Sequence, residues 1–160
     1  MFYQGIRPAV DVGISVSRVG GSAQIKAMKK VAGPMRLDLA QYRALAAYAK
    51  LSADELDKQS RQQLARGARL TEILKQKQFD VMPVELQVCI LYAATQGHVD
   101  DLEVEEIRDF ESGFHDYVKA NHADIHSTLK EKKALSDELN GKLDEAIKAY
   151  KEEFLSARKA

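Results

Sequence analysis

From Gln24 to about Ser156 the apolar residues of this chain return every three or four positions rather than every second one. Side chains at that spacing share one face of a helix, so the stretch can hide them from water only as a set of packed amphipathic helices. Ala27, Met28, Val31 and Ala32 give a short first face, expected to stop at Gly33-Pro34. Met35, Leu39, Tyr42, Leu45, Ala46 and Ala49 carry a second face through Lys50. Ser52 to Glu55 reads as a capping sequence, with Ser52 as N-cap and Glu55 at the third position. The helix it opens carries Leu56, Leu64, Ala68, Leu70, Ile73 and Leu74 and is expected to end near Lys77. Phe79 to Met82 is a connection; Pro83 suits the first turn of a helix running to about Thr95, with Gly97 at its C-cap. Val104, Ile107, Phe110, Phe114, Tyr117 and Val118 line the next helix, and a shorter piece spans about Ala123 to Lys130. Ser136 caps a last helix built on Leu139, Leu143, Ile147, Tyr150 and Phe154. The fold class is therefore mainly α, a bundle of about six helices, preceded by a short strand and loop. Phe2, Tyr3 and Ile6 read as the tail of that strand, as in a piece cut from a larger parent or a gene start placed inside one.

Bulk composition excludes more than it assigns. With 24 basic and 24 acidic residues the chain is neutral, so bulk charge draws it neither to nucleic acid nor to a membrane surface. A 160-residue chain that is 45% hydrophobic can bury a substantial core. Cys89 is the single cysteine, which rules out an intramolecular disulfide and fits a reducing compartment; between Val88 and Ile90 it reads as core. No run approaches the roughly 18 apolar residues of a spanning helix, and no signal peptide opens the sequence. Membrane association is expected only through partners.

The segment Gly5 to Gly21 has a different character, with one of three prolines and four of nine glycines. Val10 to Val19 carries an apolar residue at nearly every second position, and Ser15, Ser17 and Arg18 gather just before Gly20-Gly21. Small hydroxyls, a turn and one guanidinium suit a phosphate. On residue chemistry alone the plainer reading, a solvated loop arginine, is favoured. The chain has no G-x-x-x-x-G-K-[ST] and no G-x-G-x-x-G, so any phosphate near Arg18 is held by another segment or another polypeptide. His115, His122 and His126 lie close in sequence, but without a third well-spaced ligand they read as polar surface histidines rather than a zinc site. Lys130, Lys132 and Lys133 read as solvated, and so by default does the acidic turn Asp54-Glu55-Leu56-Asp57, which would also suit a basic partner. The amides of Gln76 and Gln78 could read an adenine edge, or simply finish a helix.

The run Pro8 to Ser17, PAVDVGISVS, resembles the signature shared by the alpha and beta subunits of rotary ATP synthases. Its continuation resembles the alpha type: Ser17-Arg18-Val19-Gly20-Gly21, Ala23-Gln24 and Ala27 to Gly33, then Leu37 to Arg43, Arg66-Gly67 and Leu74-Lys75-Gln76. Met82 to Glu85, Gln87-Val88, Leu91-Tyr92-Ala93 and Thr95-Gln96-Gly97 follow in the same order, so the resemblance covers essentially the whole chain. It implies that residues 1–26 are the end of an α/β nucleotide-binding domain and residues 27–160 the C-terminal helical domain of an alpha subunit. It departs at Asp11, where alpha subunits more often carry asparagine, at Pro34, at His98, and in the turn around Ser52 to Leu56, which is about one residue longer than usual.

The resemblance also implies roles. Arg18 would reach from the alpha subunit into a neighbouring beta catalytic site as an arginine finger, supported by Ser15, Ser17 and Gly20. Arg7, Pro8, Gln76 and Gln78 would surround the adenine of a non-catalytic nucleotide site, and Asp54, Glu55, Leu56 and Asp57 would face the gamma central stalk. ATP or ADP with Mg²⁺ is expected in the full complex and no cofactor on the fragment alone, which is not expected to be catalytic. The implied setting is an alternating ring with beta subunits, peripheral on the cytoplasmic face of a bacterial plasma membrane or its organellar equivalent, in ATP synthesis coupled to proton transport. The alternative is a stand-alone truncated helical interaction module with no part in ATP turnover.

Overall fold

A computed structural model describes residues 1–12, 17, 19–49 and 56–158. Within them lie a short turn of helix α1 (Gly20–Ala23), then α2 (Lys26–Ala49), α3 (Lys58–Ile73), α4 (Val84–Thr95), α5 (Ile107–Asn121), α6 (Ala123–Lys132) and α7 (Asp137–Ala157). The architecture is all-helical, as the spacing predicts.

The bundle is organised around α4. Leu86 and the whole run Val88 to Ala94 are buried, and a helix that is apolar all round has to sit in the middle of its fold. Helices α2, α3, α5, α6 and α7 all pack against it. On one flank α5 brings Ile107, Phe110, Phe114 and Val118, each fully buried, against Leu143, Ala146, Ile147 and Tyr150 of α7. Phe110 lies 5.2 Å from the Tyr150 ring and 5.4 Å from that of Phe154, in tilted and edge-on geometries that add to the area buried.

The ends of the helices are closed by local chemistry. Ser136 Oγ accepts the Leu139 N–H at 3.2 Å, as expected of that cap. After α4, Gly97 adopts φ 82°, with its N–H on Ala94 O and the His98 N–H on Ala93 O, a Schellman closure. A methyl group at Gly67 of α3 would overlap the Tyr42 ring of α2, so these two helices meet with a ring seated on bare backbone.

Several expectations are corrected. The first helix does not stop at Gly33-Pro34; α2 runs through Pro34 without a break. A mid-helix proline costs about 3 kcal/mol, but Met28, Val31, Met35 and Leu39 form one buried stripe on both sides of it, each such side chain worth about 1.5–3 kcal/mol. Phe2, Tyr3 and Ile6 are not a strand end: Phe2–Gln4 is a 3₁₀ turn closed by Gly5 N–H on Phe2 O, and no strand occurs among the described residues. With no strand alongside, the backbone satisfies itself locally. Ser52 to Glu55 lie outside the described residues, and the N-cap of α3 is Asp57, whose carboxylate accepts the Ser60 N–H at 2.6 Å. That helix ends at Ile73 rather than near Lys77. Finally, His115 is buried rather than on the surface.

Candidate functional site

The expected site residues fall in three places, and two of them involve the amino-terminal segment. The first forms where that segment meets the end of α3. Arg108 of α5 donates to Lys75 O and faces Glu72 at 3.6 Å and Glu111 at 3.2 Å, which fastens the turn after Ile73. Burial lifts the Glu111 carboxyl above its ordinary range and Arg108 works against that shift. From this anchored turn the Gln76 N–H donates to Arg7 O at 2.8 Å, while the Gln76 side-chain amide donates to Asp80 O and closes the loop that follows.

Arg7 and Gln76 are thus joined through their main chains. The Arg7–Pro8 peptide is cis, and the Arg7 guanidinium lies 4.3 Å over the Phe2 ring. Pro8 and Gln78 are exposed. An apolar proline ring, an exposed amide and a cation on an aromatic are groups able to meet a flat heteroaromatic ring by contact and by hydrogen bonding. In the same loop Phe79 and Val81 are almost wholly exposed, at 91% and 87%.

The second set is the signature segment. Ser15 and Arg18 lie outside the described residues. Ser17 Oγ accepts the Gly20 N–H at 2.8 Å, tying the end of the signature to the start of α1. Upstream, Asp11 pairs with Arg43 of α2, and Val12 packs against the core. In the acidic turn Asp54 and Glu55 lie outside the described residues. Leu56 is buried, its carbonyl accepting from Arg61 Nε at 2.9 Å, and Asp57 gives its carboxylate to the cap of α3, which holds that carboxyl below its usual range.

Sequence reading missed several fixtures. Arg66 makes a forked contact to Asp100, at 2.5 Å and 3.1 Å, and Arg69 Nε donates to Leu102 O at 2.6 Å. The available signal was the recurrence of basic residues along α3, at Lys58, Arg61, Arg66 and Arg69. Burial pushes the His115 ring down to about 4, and its Nε2 has no hydrogen-bond partner among the described residues. Cys89 is buried as expected, and burial pushes its thiol up to about 12. Among the described residues no three His, Cys, Asp or Glu side chains converge as a metal site would require.

Residues 24–150 match the family model for the C-terminal domain of the ATP synthase alpha/beta chain, and that span holds α2 to α6 and most of α7. The chain belongs to that family. Within it, the chain is 55% identical over 155 residues to the ATP synthase subunit alpha of Clostridium kluyveri, covering 97% of this chain and 31% of the relative. The subunit alpha of Clostridium acetobutylicum is 53% identical over 156 residues, with 98% of this chain and 31% of that protein covered. The chain therefore spans about a third of the length of the ATP synthase alpha relatives it matches. Among the described residues no helix is long and apolar enough to cross a membrane.

Proposed function

We propose that this chain is the carboxyl-terminal part of an ATP synthase alpha subunit. In that reading residues 1–26 close the nucleotide-binding domain, residues 27–160 form the helical domain, and Arg18 acts in trans at the catalytic site of an adjoining beta subunit. The guanidinium is a planar fork of donors that cannot lose its charge at working pH, so it can neutralise charge developing on a phosphoryl group gripped by the neighbour. Ser15, Ser17 and Gly20 shape the loop around it. The acidic turn meets the gamma central stalk through Asp54 and Glu55, while Leu56, buried in the bundle, and Asp57, engaged in the cap of α3, support that turn from within. The membrane is reached only through the assembled complex, in ATP synthesis coupled to proton transport.

The observation that most supports this reading is the main-chain bond between Arg7 and Gln76, positions far apart in sequence that the family resemblance assigns to one adenine pocket. Pro8 and Gln78, exposed in the same two segments, fit the base end of a nucleotide. A bound nucleotide supplies the purine edge and the Mg²⁺-bearing phosphates; the residues present here meet the edge, and this sequence has no phosphate loop for the rest. The chain alone is accordingly expected to hydrolyse no ATP.

The test is Arg18→Lys in the full-length subunit assembled with beta and gamma. Ring assembly should be intact while ATP turnover falls roughly 10³-fold or more, the lower end of what trans-acting arginines contribute in GTPases. Turnover close to that of the unmodified ring would dispose of the reading.

A further inference from the structure

Among the described residues, ties of three different kinds fasten the amino-terminal segment to the bundle. The Gln76 N–H on Arg7 O is a main-chain bond that side-chain substitution leaves in place. Val12 is half-buried against the core. Between them Asp11 Oδ1 meets Arg43 Nη1 of α2, 32 positions away, and this is the tie that depends on charge. Both partners are partly exposed, 28% for Asp11 and 35% for Arg43, so water screens the pair and it adds little to folding stability.

Its directional content is larger than its energy. A guanidinium bonded to a carboxylate fixes the height and rotation of the segment that carries the carboxylate. Arg43 is itself held in place, because the neighbouring Tyr42 ring sits on the bare backbone of Gly67 and locks this level of α2 against α3. Arg18 follows Asp11 by seven residues, a reach of at most about 25 Å. On the far side Ser17 is tied to Gly20 at 2.8 Å. Asp11, within the signature, is therefore tied to α2 by an ion pair, and Ser17 is closed locally onto the start of α1.

We propose that Asp11 and Arg43 are positioning residues that register the signature segment on α2, so that Arg18 is delivered to the subunit boundary at the correct place. The proposal rests on the trans-acting role of Arg18 given above. A loss of register of about 1 Å can cost as much as 10²-fold in rate, and a segment still held by two other ties should lose less.

The test uses the full-length subunit assembled with its partners, measuring ring yield, kcat and KM for ATP. Arg43→Ala and Asp11→Ala should each lower kcat by about 5- to 20-fold, with ring yield intact and KM little changed. The exchange Asp11→Arg with Arg43→Asp should recover at least half of the lost rate, a rescue that a merely structural role for either side chain does not produce. If an alanine variant fails to assemble, Arg43→Met, which keeps the side-chain length and removes its donors and charge, carries the same test and should also lower kcat. Single variants with unmodified kcat, or an exchange as slow as the singles, would overturn the proposal. Arg18→Lys in the same preparation separates the two ideas. A slow Arg18→Lys ring beside normal Asp11 and Arg43 variants removes only the positioning role, whereas a normal Arg18→Lys ring removes the trans-acting arginine and this role with it.

Discussion

The helices from α4 to α7 and the amino-terminal segment are held by opposite means. In the bundle, Val88, Phe110, Phe114, Leu143 and Ile147 are all withdrawn from water, and stability comes from area buried and from close packing. In the segment, the described side chains from Met1 to Val10 lie at the surface apart from the half-buried Ile6, and the backbone is located by a main-chain bond, an ion pair and Val12. One region is made stable, the other is put in place. Substitutions should therefore divide into those that unfold the protein and those that leave it folded but misplaced.

The largest expected effect on stability is in the bundle. Phe110→Ala removes a fully buried ring from the aromatic contact with Tyr150 and Phe154 and should cost about 3–5 kcal/mol, read as a lowered urea midpoint. A cost below about 1 kcal/mol would mean that the aromatic cluster is not where the bundle is held.

His115 comes next. Its ring is pushed down to about 4 by burial first and by Lys119 second, while the Leu86 backbone and Asp116 pull the other way. The unfolded ring takes up its proton near pH 6.5 and the folded ring only near 4, so the unfolded state binds more protons throughout that window. Stability is then fullest above about 6.5, falls as the pH drops, and levels off below about 4, with a total loss of about 3 kcal/mol. Glu111, whose raised carboxyl favours the folded state on acidification, trims that loss. His115→Phe should flatten the profile measured by urea unfolding at stepped pH; an unchanged slope would place the sensitivity elsewhere.

The smallest effect sharpens the comparison most. Arg43→Ala should change the unfolding free energy by no more than about 1 kcal/mol, because its pair with Asp11 is part-exposed. A cost comparable to that of Phe110→Ala would erase the distinction between the two regions.

How far each region could be read from sequence follows the same division. The apolar run of α4, the Ser136 cap and the closure at Gly97 are local patterns, and the structure repeats them. Pro34 failed as a stop signal because a single breaker was outweighed by a stripe of burial that continues past it. His115 was misread as a surface residue because α5 packs against α3, α4, α6 and α7, so its buried face, which also takes in Glu111, is wider than an amphipathic stripe suggests. The meeting of Arg7 with Gln76 could not have been derived from spacing, since a main-chain bond leaves no mark on side-chain periodicity; family resemblance alone implied it. The role of Arg18 likewise comes from resemblance, because a guanidinium among small hydroxyls looks the same whether it faces water or a phosphate.

The Tyr42 ring seated on Gly67 has a mechanical consequence. It acts as a dowel between two shafts, and α2 cannot slide lengthwise past α3 without lifting the ring out of its notch. Any displacement of one shaft along its axis therefore has to carry the other with it at the level of residues 42 and 67.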